Sequence, residues 1–307
     1  MSFDFAAFDA AFPWFFAAAS FLFGAIVGSF LNVVIYRVPH GQSVVKPGSH
    51  CACGQPIAWY DNIPILSWFL LRGRARCCGA RYSFRYPFVE TLTGALFLCA
   101  WLQHPPAKAV VGMLILSLLV VAFFIDLDHM IIPDGCTIGG AIVGVALALF
   151  VPALHGFGGE EFYVLGSLRS GAAAIIGLLI GSALVLWIAL LAETILRKEA
   201  MGFGDVKFLG MIGAFCGWQG AIFTVFGGAI VGTIWITLSL IWQKAFGRSA
   251  PVAPPAETPD GETTELKMGA HVPFGPMLAI AAALYFLFAE PYVLAHFAEY
   301  AALFGAS

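Results

Sequence analysis

The stretch Phe123-Phe124-Ile125-Asp126-Leu127-Asp128-His129-Met130-Ile131-Ile132-Pro133-Asp134 closes a long apolar run with three carboxylates and a histidine. Farther along, Met201-Gly202-Phe203-Gly204-Asp205-Val206-Lys207 places another carboxylate in a glycine-rich turn that opens a second apolar run. Ionisable groups at membrane depth are costly and by default mark a functional site. Two acids from distant parts of one apolar chain therefore suggest a catalytic pair, Asp126 and Asp205.

The composition surrounding these acids is that of a membrane protein. Of the 307 residues, 60% are hydrophobic and 11% are charged, with a mean hydropathy of +0.89, whereas soluble domains carry about 25% charged residues. The net charge of −3 gives no indication of a nucleic-acid partner. Asp4 and Asp9 precede the first apolar run and no Lys or Arg occurs before Arg37, unlike the basic start of a secretory signal, so we expect the first span to be retained.

Apolar segments long enough to span a bilayer recur along the chain. A transmembrane helix needs about 20 mostly apolar residues. The candidate spans are residues 14–36, 87–103, 108–125, 136–154, 170–193, 207–218, 220–243 and 273–290. The sixth is short and rich in glycine, which leaves seven crossings as an alternative. The sequence predicts an all-α polytopic membrane protein with about eight transmembrane helices.

The basic residues are distributed unevenly between the loops. With eight spans, one side of the membrane receives Arg37, Lys46, Arg72, Arg74, Arg76, Arg81, Arg85, Arg197, Lys198, Lys207, Lys244, Arg248 and Lys267. Only Lys108 and Arg169 fall on the other side. Because Lys and Arg are enriched in cytoplasmic loops, we predict that the polar loops are cytoplasmic and the N-terminus is external. This orientation places Asp126 and Asp205 together at the cytoplasmic face.

Residues 37–86 form the one sizeable polar segment, and it contains four cysteines. About 50 residues bury little core unaided, so a metal or disulfides are expected to hold such a segment together. In a reducing cytoplasm clustered cysteines favour metal binding, and Cys51, Cys53, Cys77 and Cys78 could supply the four thiolates of a zinc site. Reduced structural thiols, or His50 in place of one ligand, remain alternatives.

The remaining segments give fewer functional indications. Residues 244–272 have the Pro-, Ala-, Thr- and Glu-rich composition of a flexible linker. Three further cysteines, Cys99, Cys136 and Cys216, lie in or beside apolar runs and are interpreted as packing residues.

Two carboxylates held close together cannot both ionise easily and share one proton. The ionised acid can then deprotonate a water that attacks a peptide carbonyl, while the protonated acid polarises that carbonyl and later protonates the leaving amine. The glycines Gly202 and Gly204 would let a substrate strand approach the backbone closely.

Simpler interpretations of these acids stay open. Asp128 and Asp134 could belong to a solvated loop, Asp134 could cap the next helix, and His129 could be an interfacial residue. Asp205 alone could interact favourably with a helix dipole. A proton-coupled transporter would also contain membrane acids, although it would carry more of them in mid-helix and would not explain the cysteines or the glycine turn.

An ordered set of motifs between about residues 24 and 280 resembles the prepilin peptidases, the type 4 prepilin leader peptidases of type IV pilus and type II secretion systems. The matching segments are Gly28-Ser29-Phe30-Leu31-Asn32, Tyr60-Asp61-Asn62-Ile63-Pro64, Arg85-Tyr86-Pro87-Phe88-Val89-Glu90, Asp126-Leu127-Asp128-His129, Gly202-Phe203-Gly204-Asp205 and Pro273-Phe274-Gly275-Pro276. This resemblance implies a bifunctional enzyme of the bacterial inner membrane.

Such an enzyme cleaves the leader of prepilins or pseudopilins at the cytoplasmic face. It then methylates the new N-terminal amine with S-adenosylmethionine. By motif position, Asp126 and Asp205 would be the protease aspartates. The family's cysteine domain has two CxxC pairs linked to zinc and to methylation, whereas this chain has a CxC pair and an adjacent CC pair. A peptidase without methylation activity is therefore a further alternative.

These interpretations divide the chain into three parts. Residues 1–36 would contain the N-terminal transmembrane helix, residues 37–86 the cytoplasmic cysteine domain, and residues 87–307 the transmembrane aspartic peptidase domain.

Overall fold

The computed structural model describes residues 11–12, 14–51, 53–197, 201–246 and 273–303. Within these ranges the chain is helical, with only two isolated β-bridges in the cysteine segment, so the all-α prediction is confirmed. The acids Asp4 and Asp9, the cations Lys198, Arg248 and Lys267, and the predicted linker beyond residue 246 lie outside the described residues.

The described residues form nine α-helices, α1 to α9 in chain order. They are α1 Phe15–Arg37, α2 Leu66–Leu70, α3 Arg85–Gln103, α4 Pro106–His129, α5 Gly140–Phe150, α6 Tyr163–Leu196, α7 Phe203–Phe246, α8 Gly275–Leu284 and α9 Glu290–Leu303. A π-helical turn, Gly135–Gly139, leads into α5, and another, Tyr285–Ala289, joins α8 to α9. Short 3₁₀ turns lie at Val38–His40, Trp59–Asn62 and Pro152–His155.

Five of the described helical segments are both long and apolar enough to cross a membrane. They are Phe15–His40, Pro106–His129, Tyr163–Ile195, Phe203–Trp242 and Gly275–Tyr300. The fourth is interrupted at Gly217, whose φ of 70° and ψ of 176° are not helical, near the end of the predicted sixth span. The number of crossings, eight, stays a prediction.

Helix α4 lies at the centre of the bundle and contacts α1, α3, α5 and α8. Its buried side chains face two apolar clusters. One, built around Ile115, Phe208 and Leu278, joins α4 to α7 and α8; the other, built around Leu31 and Phe124, joins α4 to α1 and α3. Because both clusters extend along α4, they fix the position of its last turns, where the acidic stretch begins.

The segment between α1 and α3 is made of short elements that have little apolar core of their own. Cys51 is buried, and Trp68 packs edge-to-face against Phe84, with a distance of 5.2 Å between ring centroids. The indole N–H of Trp68 donates to the carbonyl oxygen of Tyr82 at 3.3 Å. These contacts fold the segment back onto the start of α3.

Candidate functional site

Asp126 lies one turn before the end of α4 and is only 6% exposed. The helix ends because Met130 adopts a left-handed conformation, with φ of 55°, and its N–H donates to the carbonyl oxygen of Asp126. The apolar run before Asp126 is therefore helical up to the acid itself. The carboxylate is held in the protein interior rather than in the loop that follows.

Asp205 lies in the first turn of α7 and is 9% exposed. Its backbone N–H donates to the carbonyl oxygen of Gly202 at 3.1 Å, and the backbone of Gly202 in turn hydrogen-bonds to the Asp205 carboxylate. A carboxylate in the first turn of a helix also interacts favourably with the helix dipole. The glycine-rich turn thus fixes the position of the acid in the first turn of α7.

The fold brings these two acids to the same end of the bundle. The carboxylates of Asp126 and Asp205 lie close enough to interact electrostatically. Both are buried, so the surrounding protein screens that interaction less than bulk water would. Two interacting, buried carboxylates are an arrangement suited to general acid–base chemistry on a bound water.

A third segment completes the surroundings of Asp126. The backbone of Gly275, the first residue of α8, hydrogen-bonds to the Asp126 carboxylate. A Cβ on Gly275 would lie 2.5 Å from Oδ2 of Asp126 and 3.0 Å from Cδ1 of Ile132. Only glycine fits here without displacing the carboxylate. Nothing in the sequence alone indicates this role for Gly275, which lies in the Pro-Phe-Gly-Pro motif.

The outer acids of the first stretch have specific partners. Asp128 lies in the last turn of α4 and forms an ion pair with Arg85 at 2.6 Å, and Asp134 forms one with Lys207 at 2.6 Å. Asp128 thus lies in a helix and not in a loop, although its side chain is solvent-exposed. Asp134 precedes the π-helical turn but makes no side-chain capping hydrogen bond, so the capping interpretation is wrong.

Ion pairing between Asp134 and Lys207 has a structural consequence. It connects the stretch that contains Asp126 with the glycine-rich turn that contains Asp205. His129 packs edge-to-face on His40, with 5.5 Å between ring centroids.

The four cysteines of the polar segment come together. The Sγ atoms of Cys51, Cys53, Cys77 and Cys78 all lie within 4.8 Å of one another. The distance is 3.5 Å both from Cys51 to Cys78 and from Cys53 to Cys77. Zinc bound by four thiolates at about 2.3 Å in a tetrahedron requires sulfur atoms about 3.8 Å apart. The set therefore fits a tetrahedral metal ion, despite the unusual CxC and CC spacing.

Hydrogen bonds lower the pKa of one of these thiols. The backbone of Cys53, followed by the side chains of Cys77 and Cys78, lowers the pKa of Cys51 to about 7. The pKa of Cys77 is raised, chiefly through its hydrogen bond to Cys51. His50 is not part of the group, and its ring nitrogen contacts the carbonyl oxygen of Gly48 instead. Four sulfurs, rather than three and an imidazole, form the candidate metal centre.

An ion pair braces the loop that carries the second cysteine pair. Arg76 donates one bifurcated hydrogen bond from Nε to both Asp61 oxygens and another from Nη2 to Oδ1, at 2.8–3.1 Å. The guanidinium holds the pKa of Asp61 below its ordinary value. The other cysteines behave as packing residues, since Cys136 and Cys216 are buried in the apolar clusters.

Two known protein-family models match this chain, one after the other along the sequence. Residues 22–104 match the bacterial peptidase A24 N-terminal domain, and residues 113–237 match the type IV leader peptidase family. The first match covers most of α1, the cysteine segment and α3. The second contains both Asp126 and Asp205.

Curated relatives agree with these matches, and each is named prepilin leader peptidase/N-methyltransferase. A Myxococcus xanthus protein is 39% identical over 242 residues, which are 77% of this chain and 66% of the relative. A Klebsiella pneumoniae protein is 38% identical, over 69% of this chain and 90% of the relative. An Aeromonas hydrophila protein is 34% identical, over 88% of this chain and 89% of the relative. No solved structure matches the chain.

Proposed function

This chain belongs to the type IV leader peptidase family, and from that membership we propose that it is a membrane aspartic endopeptidase that removes the leader of type IV prepilins or pseudopilins. We extend the proposal to N-methylation of the new N-terminus with S-adenosylmethionine as the methyl donor. The observation that carries the peptidase proposal is the pair of buried, interacting carboxylates, Asp126 and Asp205, at one end of the bundle.

In the proposed reaction the two carboxylates share one proton. The ionised member takes a proton from water, the water oxygen attacks the scissile carbonyl carbon, and the protonated member donates a hydrogen bond to the carbonyl oxygen. Collapse of the tetrahedral intermediate breaks the C–N bond, and the leaving amine takes its proton from the carboxyl that was protonated at the start. The hydrogen bonds from the backbones of Gly202 and Gly275 would hold the two acids in position throughout.

We propose zinc as the metal at Cys51, Cys53, Cys77 and Cys78, supported by the mutual distances of their sulfurs. When bound, the ion would cross-link the two loops of a segment with little core of its own. Four thiolates leave no open coordination position, which is typical of a structural zinc site. The hydrolytic chemistry therefore stays with the aspartates.

The proposed location is the bacterial inner membrane, with the active site at the cytoplasmic face. Two cations support this orientation, because Arg85 and Lys207 form ion pairs with Asp128 and Asp134, which follow Asp126 in the sequence. Leaders that remain in the cytoplasm after membrane insertion of a prepilin would reach that end.

The deciding experiment exposes the purified protein to a prepilin with an intact leader, with and without S-adenosylmethionine, and weighs the products by mass spectrometry. Loss of the leader together with the gain of one methyl group is expected. Loss of the leader alone would favour the peptidase without methylation activity. An untouched substrate in a folded preparation would overturn the peptidase proposal, and ion or solute flux through vesicles would then favour the transporter.

A further inference from the structure

Helix α3 carries a buried carboxylate that takes no part in the proposed peptide hydrolysis. Glu90 is 8% exposed, and its Oε2 accepts a hydrogen bond from the backbone N–H of Ile65 at 2.7 Å. The Ser29 side chain on α1 also hydrogen-bonds to the same carboxylate. A buried acid is thus satisfied jointly by a membrane helix and by the cysteine segment.

Ile65 has an unusual backbone conformation at this contact. Its φ of 65° and ψ of −56°, with a hydrogen bond from the N–H of Leu66 to the carbonyl oxygen of Pro64 at 2.6 Å, define a γ-turn. A β-branched residue rarely occupies positive φ. The bond to Glu90 therefore holds the chain in a sharp turn immediately before α2.

The position of Glu90 fixes how deep this turn lies. A Cβ on Gly28 of α1 would lie 2.8 Å from Cα of Glu90, so the two residues are at the same level. Gly28 precedes the end of α1 at Arg37 by nine residues, which at 1.5 Å per residue is about 13 Å. Helix α1 is apolar and long enough to span a membrane. The turn at Ile65 therefore lies at the depth of the membrane-spanning part of α1 and not at its end.

Helix α2, which begins directly after this turn, has two different faces. Ser67 is buried and Trp68 packs inward on Phe84. The outward face carries Leu66, Phe69 and Leu70, which are 58%, 57% and 78% exposed. Their i, i+3, i+4 spacing forms one apolar stripe. Exposed apolar surface of this kind marks an interaction site.

Apolar side chains at the start of α3 are exposed as well. Phe84, which immediately precedes α3, and Phe88, in its first turns, are both about half exposed. Beyond α2 the chain presents exposed arginines instead, at Arg72, Arg74 and Arg81. An apolar face flanked by cations is the pattern of a segment that lies in the membrane interface.

We infer that α2 is an interfacial membrane anchor of the cysteine segment. Leu66, Phe69 and Leu70 insert among the acyl chains of the adjacent leaflet, and Arg72, Arg74 and Arg81 contact anionic phospholipid headgroups. Glu90 fixes the depth of the anchor through the N–H of Ile65. The occupant of the apolar face is lipid, because the face starts at the level of a spanning helix and is followed by exposed cations. This inference does not depend on the proposed enzymatic activity.

The test uses the full-length protein with the photo-crosslinking amino acid p-benzoylphenylalanine, a close analogue of phenylalanine, in place of Phe69. A matched variant carries the same amino acid at Val45, which is 76% exposed in the same segment. Both proteins are reconstituted in vesicles of phosphatidylethanolamine and phosphatidylglycerol, irradiated, and weighed intact. The inference expects several-fold more lipid adduct from position 69 than from position 45.

A second comparison tests the arginines. Replacing Arg72, Arg74 and Arg81 together by Gln should lower the fraction of phosphatidylglycerol among the adducts at position 69 while phosphatidylethanolamine adducts persist. Equal adduct yields from positions 69 and 45 would overturn the anchor. Crosslinking of position 69 to another part of the chain, seen by peptide mapping, would also overturn it, because protein would then cover this face. An unchanged lipid ratio in the Gln variant would overturn the headgroup contacts.

Discussion

The backbone of Gly275 hydrogen-bonds to the carboxylate of Asp126, and a Cβ at Gly275 would lie 2.5 Å from Oδ2 of that acid. The start of α8 is therefore part of the candidate active site. Asp126 is held by a segment about 150 residues away in the sequence, in addition to its own helix.

Substituting Gly275 by Ala should impair leader cleavage severely. The added methyl must displace the carboxylate, and a misplacement of about 1 Å can cost roughly 10²-fold in rate. The loss should fall mainly on kcat, since Gly275 positions an acid rather than binding the leader. Gly232→Ala is the matched control, because a Cβ there meets only Cγ of Met277, at 3.7 Å. Similar cleavage rates in the two variants would contradict the role given to Gly275.

Asp126→Asn and Asp205→Asn should each abolish cleavage, because the amide can neither take a proton from water nor supply one to the leaving amine. Mass spectrometry of a prepilin substrate measures the loss, and both proteins should still insert in the membrane. Glu160→Gln is the control. Glu160 lies in the loop before α6, at the other end of the bundle, and pairs with Arg169 of that helix. Normal processing by either Asn variant would refute the catalytic assignment.

Serine substitutions at Cys51, Cys53, Cys77 and Cys78 should each lower the zinc content of the purified protein, because each removes one of four converging sulfurs. Cys99→Ser removes a half-buried thiol in α3 and should leave the metal content unchanged. Elemental analysis per mole of protein provides the measurement. Metal-free wild-type protein would exclude the zinc site.

Zinc affinity should fall as the pH is lowered, because thiols must lose their protons to bind the metal. The pKa of Cys51 is about 7, so above that pH this residue is already a thiolate, and below it one more proton competes with the metal. The decline should therefore become steeper below about pH 7. Competition with a chromogenic chelator across a pH series measures this dependence. A slope that does not change near pH 7 would show that Cys51 does not titrate there.

Glu90→Ala should loosen the cysteine segment, because the N–H of Ile65 loses its acceptor. Removing the partner of a buried donor costs about 1–3 kcal/mol. Faster proteolysis between Arg72 and Arg81 and a lower thermal midpoint are expected, with a smaller effect for Glu90→Gln, which keeps an acceptor oxygen. Glu161→Ala, at an exposed position, is the control. If the Glu90→Ala variant is cleaved by protease as slowly as the wild type, Glu90 does not hold the turn.

The sequence alone was sufficient for the class of the protein and its family, and it also predicted a catalytic pair of acids. Composition and the length of the apolar runs identify a polytopic helical protein, because a bilayer imposes both. The glycine-rich turn and the acidic stretch single out Asp126 and Asp205 because carboxylates are rare in such a chain. These properties are local, and each can be read from a short window of residues.

Tertiary structure decided which residues surround those acids. The hydrogen bond from Gly275, the pairing of Asp134 with Lys207 and the turn held by Glu90 each join segments separated by 25 or more positions, so no local pattern predicts them. The convergence of cysteines with unusual spacing is of the same kind, since Sγ distances depend on how two loops fold together. Spacing in the sequence limits which side chains can meet, but packing of the helices determines which of them do.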